Sequence, residues 1–313
     1  MKISSKFVGA SLAALGAMSL CAFSSAAVAG SISQPGEIVG YSWAPLPQGL
    51  YFADTGSYGN TRSFGDYRGE LGVNIPVVVW STPWDFLGGH IEAYVAAPSV
   101  ALGLPGPAGS GGTGFYASAI YNPALLVGEA WNLGNGLSVS DFVGGYAPVN
   151  NILNQDNWTF NERLGVTYSM NGFTLTGHVI YGITGNSMSN SFGTYGDKVN
   201  PDYVNLDLTA SKDFGKFTFG VVGFGSWDVS QALGNTVAAT GGMQSQFAVG
   251  LLGGYNFGPV ILQSYLTHDI YSRNYWDAGV IGGRETYETR FWLRVIVPLW
   301  NPPAPPAPVL AKY

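Results

Sequence analysis

Cysteine, charge and long apolar runs are what this sequence has least of. Its single cysteine, Cys21, lies near the start and follows Leu20, a bulky residue where a lipoprotein signal wants Gly or Ala. Without further thiols, a disulfide-stapled secreted module and a thiolate metal site are both excluded. Charged residues make up 10% of the chain, against about 25% in an ordinary soluble domain. After residue 29 no stretch approaches the roughly 18 consecutive apolar residues that a membrane helix needs. The net charge is −6, and −8 without Lys2 and Lys6, which argues against a nucleic-acid partner. Aromatics nevertheless reach 14%, and there are 45 glycines. A chain with this balance and no spanning helix suits a barrel whose outer face touches lipid.

The N-terminus reads as an export signal. Lys2 and Lys6 precede an apolar stretch from Phe7 to Phe23, and Ala27-Val28-Ala29 supplies a small-x-small cleavage pattern. Residues 1–29 are therefore expected to be a cleaved signal peptide, and 30–47 a Ser/Pro/Gly-rich periplasmic segment. Residues 48–300 are expected to form the barrel, and 301–313 a proline-rich periplasmic tail. Either end could instead enter the lumen as a plug, a less favoured placement.

Period-two alternation carries the fold assignment. In 158–170, Trp158, Phe160, Leu164, Val166, Tyr168 and Met170 share one face, and Thr159, Asn161, Arg163, Thr167 and Ser169 the other. Glu162 is the exception. The last strand sets Phe291, Leu293, Val295, Val297 and Leu299 against Glu288, Arg290, Trp292 and Arg294. A helical period of 3.6 would mix these faces. The pattern predicts strands at 49–58, 69–80, 88–98, 123–133, 136–146, 158–170, 172–186, 202–213, 216–230, 244–256, 259–273 and 286–299. That makes an all-β, transmembrane, antiparallel up-and-down barrel of about twelve strands, ten or fourteen being the alternatives. Tight turns such as Gly134-Asn135-Gly136 and Asn171-Gly172 alternate with longer loops, the longest at 99–122. Short periplasmic turns and long extracellular loops are the outer-membrane arrangement. A secreted β-sandwich would have shorter strands and a more polar outer face. Tyr41, Trp43, Trp80, Trp84, Trp131, Trp158, Trp227 and Trp300 suit interfacial girdles.

Several segments, among them Asn157-Trp158-Thr159-Phe160 with Gly165-Val166-Thr167-Tyr168, and Gly253-Gly254-Tyr255 with Gly258-Pro259, carry a family likeness. From Pro47-Gln48-Gly49-Leu50-Tyr51-Phe52 to about Leu299 the chain resembles the outer-membrane barrel family named for the meta-pathway of phenol degradation. The resemblance implies transport of small hydrophobic or aromatic molecules, and no catalytic residues come with it. Barrels of this membrane usually finish on an aromatic residue read by the barrel-assembly machinery. This chain runs past Trp300 to Tyr313, so Leu299-Trp300 would have to serve as an internal signal.

Parity points Glu92, Arg163, His178, Asp207, Asp228, Tyr265, Asp269, Glu288, Arg290, Trp292 and Arg294 into the lumen. Arg290 and Arg294 flank Trp292 on one face and could hold a planar aromatic acid by stacking and bidentate pairing. The favoured alternative is that the arginines brace the barrel against Glu288, Asp269 or Glu92, because buried charges need partners. Mixed signs argue against an ion-selective pore, and twelve strands give a narrower bore than the larger porins. Trp80, Tyr94, Phe224, Tyr265 and Trp292 would narrow it further.

The expected function is passive passage of small hydrophobic or aromatic solutes across the outer membrane. The expected partners are outer-membrane lipid, those solutes and the assembly machinery, with no cofactor. A structural or adhesive barrel is the alternative, and an outer-membrane lipid hydrolase a further one. The histidines are His90, His178 and His268, and no nucleophile–base or metal motif accompanies them. An energy-coupled plug domain is excluded by the short stretch before the first strand.

Overall fold

The computed structural model describes residues 31–62, 68–104, 114–151, 153–154, 156–189, 195–232, 242–274 and 287–302. The expected signal peptide and all but the first two residues of the expected tail lie outside these. The strands are β1 (Gly49–Arg62), β2 (Arg68–Phe86), β3 (Gly89–Ala96), β4 (Ser99–Leu104), β5 (Phe115–Ile120), β6 (Ala124–Gly134) and β7 (Leu137–Tyr146). They continue as β8 (Thr159–Met170), β9 (Phe173–Thr184), β10 (Tyr203–Phe214), β11 (Phe217–Asp228), β12 (Ser245–Asn256), β13 (Ile261–Arg273) and β14 (Tyr287–Trp300).

Every pairing is antiparallel, and β1 pairs with both β14 and β2, so the sheet closes. The fourteen segments make a twelve-stranded barrel. Both β3 and β4 lie along β2, while β6 continues beside β3 and β5 beside β4. The breaks fall at Ala97-Pro98 and at Tyr121-Asn122-Pro123, where proline has no N–H to give the ladder. The expected loop at 99–122 is therefore shorter. Pairing resumes past each proline, a continuation that proline's usual role as a stop signal concealed.

Local chemistry explains the rims. Asn135, Asn171 and Leu87 adopt positive φ, followed by Gly136, Gly172 and Gly88, as tight hairpin turns require. Along β8 the alternation is sharp. Phe160, Leu164 and Val166 are 44–49% exposed to the membrane side, whereas Asn161, Arg163 and Thr167 are buried in the lumen. Twelve-residue strands such as β8 and β9 also match the roughly 9–11 residues of a tilted membrane crossing. The outer face is not wholly apolar. By parity it carries Glu129 and Asp141, directly opposed on β6 and β7, with Glu162 diagonal to Asp141 on β8.

One placement is corrected by the structure. Residues 31–48 do not hang in the periplasm; they run as a strap inside the barrel. Tyr41 and Trp43, expected in a girdle, belong to this strap, and Trp43 is 9% exposed. Trp80 is the reverse case. Expected both in a girdle and as a residue narrowing the lumen, it points outward, 42% exposed, because Leu71, Val73, Ile75 and Val79 take the inward register of β2. The Val77-Val78-Val79 run has no alternation to reveal that register.

Candidate functional site

The lumen wall is chemically divided. Strands β8, β9, β10, β13 and β14 present polar side chains, and these fasten the strap. Asp207 accepts the backbone N–H groups of Gly36 (3.0 Å) and Ile38 (3.2 Å), and Thr209 that of Gly40 (2.8 Å). Thr167 accepts from Trp43 N–H at 3.0 Å, and Glu92 from Leu46 N–H at 2.8 Å. Arg294 donates to the carbonyls of Val39 and Glu37 while its guanidinium stacks 3.7 Å from the Tyr41 ring centre. Tyr265 donates its hydroxyl to Gly36 O at 2.8 Å. The strap thus has its backbone groups satisfied by side chains of the wall, which a segment without strand pairing requires when buried.

The strap turns sharply to reach these groups. Gly36 and Gly40 both have positive φ, and a Cβ at Gly36 would stand 2.7 Å from the Phe224 ring. Only glycine satisfies both demands. Glu37, between them, pairs with Arg163 at 2.7 Å. Arg163 also donates to Asn161 (2.8 Å) and to the Tyr146 hydroxyl (2.9 Å).

The remaining candidates are inside the lumen but differ in role. Trp292 is fully buried, stacked on Tyr265 with ring centres 5.1 Å apart, and its indole N–H donates to Thr267 at 3.2 Å. Arg290 pairs with Glu288 at 2.5 Å, and Asp269 accepts the Glu288 N–H at 2.8 Å. Thus Arg290, paired with Glu288 on its own strand, ties β14 to β1 and β2 by donating to Ser57 (2.9 Å) and the Leu71 carbonyl (3.3 Å), and Arg294 is committed to the strap. Neither guanidinium is free to pair with an aromatic acid in the lumen. His178 is buried edge-on against Trp43 at 5.4 Å, and neither of its ring nitrogens has a hydrogen-bond partner among the described residues.

The opposite wall is apolar. Leu71, Val73, Ile75 and Leu102 point inward from β2 and β4 and form a cluster with Leu153. Beside it, Trp43, Tyr94 and Phe142 pack with ring centres 4.8–5.5 Å apart. Two cavities lie between this wall and the strap. The larger, about 480 Å³, extends to the short-turn rim at Asp213, Gly215 and Lys216 and is lined by Trp43, Ala53, Val79, Tyr94, Leu126 and Phe142 among others. The smaller, about 50 Å³, lies toward the long-loop rim among Leu71, Val73, Val100, Leu102 and Leu153.

The apolar lining residues are not foreseen from the sequence apart from Tyr94, whereas Arg163, Thr174 and Ser211 fall on the polar faces that parity turns inward. On β2 the alternation is inverted, Leu71, Val73 and Ile75 facing the lumen while Glu70 and Asn74 are exposed outside, so sending the apolar face to lipid misplaces them. The strap had one available signal: Arg163 points inward, yet no neighbouring strand offers it a carboxylate.

Comparison with known proteins agrees with this architecture. The family model described as "Putative MetA-pathway of phenol degradation" matches residues 52–280. A COG4313 outer membrane channel from Pseudomonas putida F1 is similar in structure, with a TM-score of 0.66 at 14% identity, over 85% of this chain and 99% of that one. A FadL homologue from Pseudomonas aeruginosa aligns with a TM-score of 0.42 at 8% identity, over 80% and 90% of the two chains. No curated protein matches the sequence.

Proposed function

The chain belongs to the family described as "Putative MetA-pathway of phenol degradation", and from that premise we propose that this outer-membrane barrel admits small apolar and aromatic molecules by passive diffusion. The observation that carries the reading is the larger cavity. Its volume, about 480 Å³, falls within the roughly 300–1,000 Å³ of small-molecule sites, and aliphatic and aromatic side chains dominate its wall. A hydrophilic sieve would need an open aqueous bore, whereas here the strap occupies the polar side of the lumen. Transfer of an apolar solute into such a space is favourable by about 25 cal/mol per Å² of apolar surface removed from water.

The same reading includes export through a cleaved signal. Removal of residues 1–29 would leave the strap at the new N-terminus, and intact-mass measurement of the purified protein tests the cleavage site.

The transport test is uptake by whole cells. Cells producing the full chain should take up ¹⁴C-toluene faster than cells carrying the empty vector, because the lipopolysaccharide leaflet resists apolar solutes. Equal rates would remove the transport reading.

A further inference from the structure

Glu37, Ile75, Pro98 and Tyr146 line both cavities, so the two spaces meet at one waist. Three of these residues belong to the wall: Ile75 on β2, Pro98 between β3 and β4, and Tyr146 at the end of β7. The fourth, Glu37, belongs to the strap. At this level the strap is fastened from the far side. Asp207, Thr209 and Arg294 hold Gly36, Ile38, Gly40 and the carbonyls of Glu37 and Val39. The side chain of Val39 is fully buried in a cluster with Val222, Phe224, Ala248 and Leu252, away from both cavities.

We infer that the strap is a fixed partition rather than a plug that leaves, and that uncharged apolar solutes pass between it and the β2–β4 wall through the waist at Ile75 and Tyr146. This inference rests on the transport reading above. Tyr146 sets the width of the waist: its hydroxyl accepts from Arg163, which in turn is held by Glu37. The volumes assign the two spaces different parts. A dry cavity of about 150 Å³ accommodates benzene; the larger space exceeds this threefold, and the smaller falls well short. The solute therefore rests on the short-turn side, and the long-loop side must widen for it to arrive.

The waist also selects against anions. Arg163 is taken by Glu37, Arg290 by Glu288, and Arg294 by strap carbonyls. A carboxylate in the waist would lose its hydration without gaining a counter-ion, and it would stand beside the Glu37 carboxylate. Lys216 lies at the exposed rim, outside the constriction.

Three measurements on cells producing the full chain test this. Val39→Cys places a thiol in a chain whose only other cysteine is Cys21. It should stay unlabelled by maleimide while ¹⁴C-toluene uptake proceeds; labelling that rises with toluene means the strap leaves, and overturns the inference. Ile75→Trp should return toluene uptake to the empty-vector level, with Ile75→Phe intermediate. Unchanged uptake in variants that keep the heat-modifiable gel migration of a folded barrel puts the route elsewhere. ¹⁴C-benzoate should enter no faster than in vector cells; entry matching toluene overturns the selection for uncharged solutes. If the unaltered chain fails to speed toluene uptake at all, the transport reading itself fails, a result distinct from these three.

Discussion

Glu37 and Arg163 meet at 2.7 Å across the gap between strap and wall, with their side chains only 8% and 10% exposed. Removing one member of such a buried pair leaves the other charge without a partner, at a cost of about 3–5 kcal/mol. Arg163→Met should therefore loosen the strap, and its single-channel conductance in a planar bilayer should exceed that of the unaltered protein. Glu37→Leu combined with Arg163→Met removes both charges, and the conductance should fall back. Identical conductance in Arg163→Met and the unaltered chain would show that this pair does not hold the strap.

Arg294 makes a different test, because its planar fork serves several acceptors at once. Besides the two strap carbonyls it donates to Thr55 at 2.9 Å and Gln263 at 3.2 Å. Lysine keeps the charge but cannot reproduce that fan of donors. Arg294→Lys should expose the strap to chymotrypsin at Tyr41 and Trp43, sites protected in the unaltered barrel. A strap equally resistant in both would assign the hold to Asp207 and Thr209 instead.

The outer face yields a paired prediction. Val179 on β9 lies opposite Leu164 and Leu206, whereas Leu164 on β8 also lies opposite Asp141. An arginine facing lipid near mid-membrane costs about 2–4 kcal/mol. Val179→Arg should show that loss in denaturant unfolding from vesicles. Leu164→Arg should cost less, because Asp141 supplies a counter-charge. Equal losses would mean that Asp141 is not within reach.

Outside the membrane, Asp202 caps the end of β9. Burial acts to raise its carboxyl pKa, but the hydrogen bond from Lys198 at 2.7 Å and those from Thr184 N–H and Ser230 outweigh it, leaving it below the ordinary 3.8. A depressed folded value means that the stabilisation is present above the unfolded value and fades as pH falls through the lower folded one. Hydrogen exchange at the Thr184 amide, corrected for its intrinsic rate, should be constant at neutral pH and accelerate below about pH 4. Asp202→Asn should abolish that dependence. An unaltered profile in the variant would remove Asp202 from the cap.

Much of the barrel was legible because its signals are local. Alternation on β8 and β14 needs only period two, and Asn171-Gly172 announces its own turn. The inward placement of Arg163, Asp207, Tyr265 and Arg294 followed from the same parity. What parity could not reach was their partners: Asp207 and Arg294 serve the strap's backbone, and backbone acceptors leave no trace in residue type. The apolar wall was hidden for a different reason. On β2 the alternation is inverted, with Leu71, Val73 and Ile75 facing the lumen and the exposed Glu70 and Asn74 facing outward, so a rule that sends the apolar face to lipid misplaces it. β4 and β5 fall inside the expected 99–122 loop because proline, here Pro98 and Pro123, normally ends a ladder.

Those breaks also set a waterline. Barrel closure removes sheet edges, yet β5 pairs only with β4 among the described strands, so an edge reappears above Pro123. Unpaired backbone of that kind does not survive in hydrocarbon. The ladder running Ala96, Ala124, Tyr146, Thr159 and Thr184 across β3 and β6–β9 therefore marks the highest level the acyl chains can reach on that side. The β4–β5 hairpin stands above this mark, outside the hydrocarbon. The smaller cavity, bounded partly by Val100 and Leu102 of β4, lies at that same height.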